Sequence, residues 1–236
     1  MPGQETITDI TARLFFRSDV ERIGIALINS MFLFGESNRY VFDDYRSQVH
    51  DSDGLQITSS EGTQIWRTPS NPLALANSFF AQDKSVPFSL IQRQRDFSMY
   101  EDAEARYERR PSLSVQPSSD WGKGNIQLVE IPSDLEQNDN IVAFWTPDRP
   151  IKGGDSLDVA YRLLRGDLAG DQSLLARTVS TRRTALPAVS KIRAPDRIHT
   201  TNDDSRQHQF PYPTPQPQHP DRPARRNLVR SIAHYR

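Results

Sequence analysis

The sequence predicts a mainly β protein, an antiparallel sandwich or open barrel. Three observations carry this. Short apolar runs recur along residues 55–164, separated by Asn, Pro, Gly and Asp. The run Ser156–Leu164 alternates strictly, with Leu157, Val159, Tyr161 and Leu163 on one face and Asp158, Ala160 and Arg162 on the other. Helical periodicity is scarce.

In chain order, TITDITARLFF is rich in Thr and Ile and reads as a strand. SDVERIGIA follows. Ser18 and Glu21 have capping-box spacing, which predicts a short helix. SMFLF reads as a second strand ending at Gly35, and polar residues 36–54 read as a long loop. The strands LQIT, QIWR, ALANSFF, FSLIQR, LSVQP, NIQLVEI, IVAFW and SLDVAYRLL come next. Between them, MYEDAEARYERR is the one strongly charged helical candidate.

Organisation follows from composition. The chain has 236 residues, 29 Lys and Arg against 30 Asp and Glu, and no Cys. The near balance hides an asymmetry. Residues 167–236 hold 12 basic and 6 acidic residues and 8 of the 17 prolines, so the body is acidic and the tail basic. The reading is a β domain over 1–166, a linker or further strand over 167–193, and a disordered Pro-rich basic tail over 194–236. That tail has too little apolar surface to offset its ordering entropy. Without cysteine there are no disulfides and no thiolate chemistry. No run of about 18 apolar residues is present, so no spanning helix is expected. MPGQETITDI lacks a basic start and an apolar core, so no secretory leader is expected in the chain as written. Basic clusters are absent from the body, which gives nucleic-acid binding no support.

Two acidic stretches invite a chemical reading. In VHDSDGLQI, His50, Asp51 and Asp53 stand at the mouth of a strand beside Gly54. Asp-x-Asp-Gly partly matches a calcium loop, but Gly54 directly follows the second Asp and the flanks are strands, which argues against it. A plain polar turn is the simplest reading of this segment alone. In SDLEQNDNIVAFW, Asp139 adjoins a strand start. Flanked by Ile141 and Trp145, its carboxyl can be held partly out of water, where burial raises the pKa as a general acid requires. A solvated acidic loop is the simplest reading from composition alone. Aromatic residues in polar loops include Trp66, Tyr100, Tyr107 and Trp121. Aromatic faces beside acids and Arg suit sugar rings, although core packing is the commoner role for each one singly.

The motifs SMFLFGE, YRSQVHDSDGL, LIQRQRDF, YEDAEARYERRPSL, DWGKGNIQLVEIP and NDNIVAFWTP, in this order and spacing, closely resemble the bacterial periplasmic glucan biosynthesis proteins of the MdoG/OpgG and OpgD family. The match runs from about Pro2 to Leu164 and more weakly to Arg183. The resemblance implies the second half of a galactose-mutarotase-like β-sandwich. The family's small immunoglobulin-like domain has no counterpart in the tail. It further implies a periplasmic location and action on osmoregulated glucans with a β-1,2-linked glucose backbone. Some members are inverting endo-β-1,2-glucanases. Carried over by motif, Asp139 is the general acid and Asp51 the general base. His50, Asp53, Arg93, Tyr107 and Trp121 are then the candidate substrate-binding residues, with His50 either orienting the site or merely satisfying a backbone carbonyl. Such hydrolysis needs no cofactor and no metal. The expected partner is a β-glucan polysaccharide, with a homo-oligomer or the glucan-synthesis machinery as further partners. The alternatives are a non-catalytic carbohydrate-binding or scaffolding protein, and an inactive truncated remnant. Only part of the family's length is covered, so weak or no turnover is expected from this chain alone.

Overall fold

The structure is a computed structural model that describes residues 5–168. The expected tail over 194–236, and the linker from residue 169 on, lie outside the described residues. Twelve strands are present among those described: β1 Thr6–Phe15, β2 Ile25–Ser30, β3 Phe32–Phe34, β4 Val49–His50, β5 Gly54–Thr58, β6 Gln64–Arg67, β7 Ala76–Gln82, β8 Phe88–Ile91, β9 Ser112–Pro117, β10 Gly124–Glu130, β11 Ile141–Pro147 and β12 Ser156–Gly166. Every strand read from LQIT to SLDVAYRLL is found. No α-helix and no helix able to cross a membrane occurs among the described residues.

The strands form a six-stranded sheet in the order β1-β12-β9-β8-β5-β6, a four-stranded sheet in the order β2-β11-β10-β7, and a small β3–β4 ladder. All pairings are antiparallel. The two larger sheets share one apolar core, which makes the fold an antiparallel sandwich as expected. Leu55, Ile57, Phe88, Leu90 and Val115 come from one sheet, and Ile28, Ile126, Leu128, Ile141 and Trp145 from the other. Period two holds along β12, where Leu157 and Val159 are buried while Asp158 and Arg162 are exposed. A second, smaller cluster of Met31, Leu33, Phe34, Val49, Tyr100 and Tyr107 lies at the β3–β4 ladder.

Two helix expectations are corrected. Residues 18–24 are irregular, with bends and one isolated bridge in which the Val20 amide donates to the Ile151 carbonyl at 3.0 Å, and β2 begins where the helix was expected to end. The cause is a bulge. Ala26 takes φ +53° and the β2–β11 register shifts between Ala143 and Trp145. The extra residue lets Ile25 and Ile28 both face the core, an i, i+3 spacing that imitates a helix. The charged run 99–110 holds only 3₁₀ turns, at Phe97–Met99 and Tyr107–Arg109. Glu101 (φ +53°) and Arg106 (φ +54°) reverse the chain, and the burial of Tyr100, Asp102, Tyr107 and Glu108 outweighs helix propensity.

Candidate active site

The segment Asn29–Phe32, where β2 runs into β3, brings the two acidic stretches together. The Asp51 amide donates to the Met31 carbonyl at 2.8 Å. The Ser30 and Ser52 hydroxyls share a buried hydrogen bond of 2.5 Å. Phe32 pairs with His50 across the ladder. On its other side, the Phe32 amide donates to Asn140 Oδ1 at 2.8 Å, and Asn140 Nδ2 donates to the Phe32 carbonyl at 2.9 Å. Asn29 Nδ2 donates to Asp139 Oδ2 at 2.5 Å. Asp51 and Asp139, far apart in sequence, are therefore anchored to one short backbone segment, close enough for the Asp139 charge to act on Asp51.

Within VHDSDGLQI each residue has a separate task. His50 is buried, stacked on Phe32 with centroids 5.3 Å apart and edge-on to Tyr100 at 5.4 Å. Its Nδ1 meets Gln92 Oε1 at 3.2 Å and its Nε2 meets Gln48 Oε1 at 3.3 Å. Burial pushes the imidazole pKa down, and the charge of Asp53 opposes this. Asp53 Oδ2 accepts the backbone amides of Arg93 and Gln94, so this carboxylate ties β5 to the end of β8. Gly54 is a strand residue, not the turn glycine expected. A Cβ there would come within 2.3 Å of the Trp66 ring, so the ring's close approach is what requires Gly.

Asp51 is left for chemistry. Its side chain is 25% exposed and its Oδ1 lies 3.4 Å from Arg110 Nε. Burial pushes its pKa up, Arg110 pulls it down, and Asp139 pushes it up again. Asp139 is exposed, in keeping with a solvated acidic loop and not with shelter by Ile141 and Trp145. Both of those side chains are fully buried in the sandwich core, so the shelter lies on Asp51 instead.

The acidic loop before Asp139 is pinned at both ends. Asn71 Nδ2 bridges the carbonyls of Leu33 (3.1 Å) and Ser133 (2.6 Å), and its Oδ1 accepts the Ser133 amide at 2.9 Å. Arg46 then joins three stretches of chain. It reaches Asp44 at 2.7 Å, Asp102 at 2.6 Å and Glu136 at 2.9 Å. The Tyr107 hydroxyl donates to the same Glu136 carboxylate at 3.1 Å. Burial first, and then Glu136, push the Tyr107 pKa up.

The remaining expected residues divide. Tyr107 lies beside the carboxylates, with Arg110 over its ring at 5.5 Å. Arg93 stacks over Trp66 at 4.4 Å, next to Asp53. Trp121 is placed elsewhere. It is 4% exposed and packs edge-on to Trp145 and Tyr161 in the sandwich core, so it offers no face to a sugar. Sequence reasoning missed Asn29, Asn140, Arg46 and Arg110. Asn140 lay inside NDN, Arg46 inside YRSQVHDSDGL and Arg110 inside YEDAEARYERRPSL, but no local pattern gave any of them a role, and Asn29 lay in none of these motifs. Among the described residues no group of three or more His, Cys, Asp or Glu is arranged to hold a metal.

The profile of the family described as "Periplasmic glucan biosynthesis protein, MdoG" matches residues 1–214. The chain belongs to this family. Among curated relatives it is 53% identical to "Glucans biosynthesis protein G" of Cereibacter sphaeroides over 167 residues, which is 71% of this chain and 31% of the relative. Proteins of the same name from Shewanella baltica (45% over 166 residues) and Pseudomonas paraeruginosa (46% over 162 residues) cover 70% and 69% of this chain, and each is likewise matched over 31% of its own length. This MdoG-family chain thus spans about a third of the curated relatives it matches. By its description, the family is one of periplasmic glucan biosynthesis.

Proposed function

We propose that this MdoG-family chain carries the acid–base pair of a periplasmic glycoside hydrolase site that cleaves a β-1,2-linked glucan with inversion. Asp139 protonates the leaving oxygen and Asp51 activates the attacking water. The observation that carries the reading is the shared anchor. One segment, Asn29–Phe32, holds Asp51 through a backbone hydrogen bond and Asp139 through Asn29. Hydrolysis with inversion asks for two carboxyl groups on opposite sides of one bond, one protonated and one ionised. The exposure of Asp139 suits contact with a glycosidic oxygen, and the partial enclosure of Asp51 suits a single trapped water. Tyr107, Glu136 and the Arg93–Trp66 stack supply polar rims and an aromatic surface for sugar hydroxyls and rings.

A second reading exchanges the roles. Burial favours the protonated form of Asp51, which is the form a general acid needs. Leaving-group chemistry separates the two. Cleavage of linear β-1,2-glucan is followed by reducing-end release, on the chain and on a longer form carrying the rest of the relatives' length. Asp139→Asn and Asp51→Asn are both expected to abolish it while leaving glucan binding largely intact. An aryl β-glucoside with a good leaving group needs no acid, so turnover of it is expected to survive Asp139→Asn and not Asp51→Asn. The opposite pattern exchanges the roles. Glucan binding without cleavage in the longer form makes the protein a carbohydrate-binding component of glucan assembly.

A further inference from the structure

A carboxylate that activates water faces two conflicting demands. It must be ionised, and it must be enclosed enough to hold one water away from bulk solvent. Enclosure favours the neutral acid. An adjacent permanent cation resolves the conflict, and arginine is the side chain that keeps its charge under enclosure.

Arg110 stands in that position. Its Nε lies 3.4 Å from Asp51 Oδ1. Both atoms are enclosed and neither makes a hydrogen bond, so their contact is an ion pair, while the rest of the Arg110 side chain reaches solvent and leaves it 43% exposed. The backbone that carries the guanidinium is fixed by independent contacts. Arg110 precedes Pro111 and takes the extended conformation this imposes, φ −63° and ψ 133°. Its amide donates to the Tyr107 carbonyl at 3.1 Å, and its carbonyl accepts Arg95 Nη1 at 3.0 Å. The guanidinium then lies over the Tyr107 ring, 5.5 Å from the centroid. The other titratable groups that face Asp51 are Asp139, Tyr107 and Tyr100, with His50 next in the chain. Asp139 opposes a second negative charge, the two tyrosines are held neutral by burial, and His50 resists protonation. The cation that acts on Asp51 is Arg110.

We propose that Arg110 is the positioning residue that fixes the aim and the charge of Asp51. Its catalytic meaning rests on the base role given to Asp51 above, but the pairing itself does not. The test reads Asp51 directly. The chain is labelled with carboxyl-¹³C aspartate, the Asp51 resonance is assigned by its loss in Asp51→Asn, and its midpoint is followed by NMR titration. Arg110→Gln is expected to raise that midpoint by about one pH unit, the lower end of what a charged neighbour imposes. Arg110→Met, which keeps the stem against Tyr107, is expected to do the same, so one folded variant suffices. Arg110→Lys is expected to stay near wild type. Asp139→Asn is expected to lower the midpoint. In the longer form, the acid limb of the kcat/KM profile is expected to move upward with Arg110→Gln. An unchanged Asp51 midpoint in either folded neutral variant overturns the proposal, whatever the glucan assay shows. A shifted midpoint without glucan cleavage in the longer form removes the hydrolase reading and leaves the Asp51–Arg110 pair standing.

Discussion

The side chain of Asn140 pairs with both backbone polar groups on one edge of Phe32, as a neighbouring strand would. It accepts the Phe32 amide at 2.8 Å and donates to the Phe32 carbonyl at 2.9 Å, and its Nδ2 also reaches the Ile131 carbonyl at 3.1 Å. Phe32 in turn pairs with His50. A single amide thus joins the strand after Asp139 to the segment before Asp51.

Asn140 is 2% exposed, so its loss strands buried backbone groups. Asn140→Ala is expected to cost about 2–3 kcal/mol, since each buried group left unpaired costs about 1–3 kcal/mol. Urea unfolding should show a lower midpoint at unchanged slope. A midpoint equal to wild type means that water replaces these bonds at no cost.

Arg46 is a clasp with three anionic partners, two of them, Asp44 and Asp102, largely buried. Removing the cation leaves those carboxylates unpaired. Arg46→Gln is expected to destabilise by about 3 kcal/mol, the low end for breaking a buried pair. Thermal unfolding measures it, and limited proteolysis should open first near residues 101–109 and 133–138. A loss below about 1 kcal/mol assigns the cluster to the weak surface class instead.

His50 gives the fold an acid sensitivity. Its folded pKa lies below the ordinary 6.5 because burial disfavours the imidazolium. The unfolded chain therefore takes up a proton near pH 6.5 that the folded chain refuses. The stability contributed by neutral His50 is fully present above that pH and is lost as pH falls towards the folded value. Asp51, whose folded pKa is raised above 3.8, acts with the opposite sign at lower pH: its contribution is present below 3.8 and lost as pH rises. Asp53→Asn removes the charge that helps His50 protonate, so it should lower the His50 midpoint further and steepen the acid loss. Proton NMR of the imidazole, with urea unfolding at pH 7.5 and 5.5, checks both. A His50 midpoint at or above 6.5 contradicts the assignment.

Gly54→Ala places a methyl inside the Trp66 ring contact. Overpacking of this kind costs about 1–3 kcal/mol. The ring must shift, and with it the Arg93 guanidinium stacked on it. Trp fluorescence should change together with the unfolding midpoint. Unchanged stability and spectrum would show that the ring moves aside freely.

The sequence by itself determined the strands from residue 55 to 164, because alternation between core and solvent is imposed on every second side chain by the nearest sheet neighbours. It determined the order of the motifs too, and so the family. The tertiary structure decided the rest. A bulge at Ala26 turned a helical spacing into β2, and a bulge is fixed by the partner strand rather than by local pattern. Arg46 and Arg110 read as ordinary charges in polar stretches until carboxylates from distant segments were brought within 4 Å of each. Trp121 read as a loop aromatic until Trp145 and Tyr161 closed on it. Asp139 gets no shelter from Ile141 and Trp145, because both, on alternate positions of β11, point to the core. Local sequence sets which side chains alternate. Which of them meets which partner depends on contacts tens of residues apart, and those exist only once the sheets have packed.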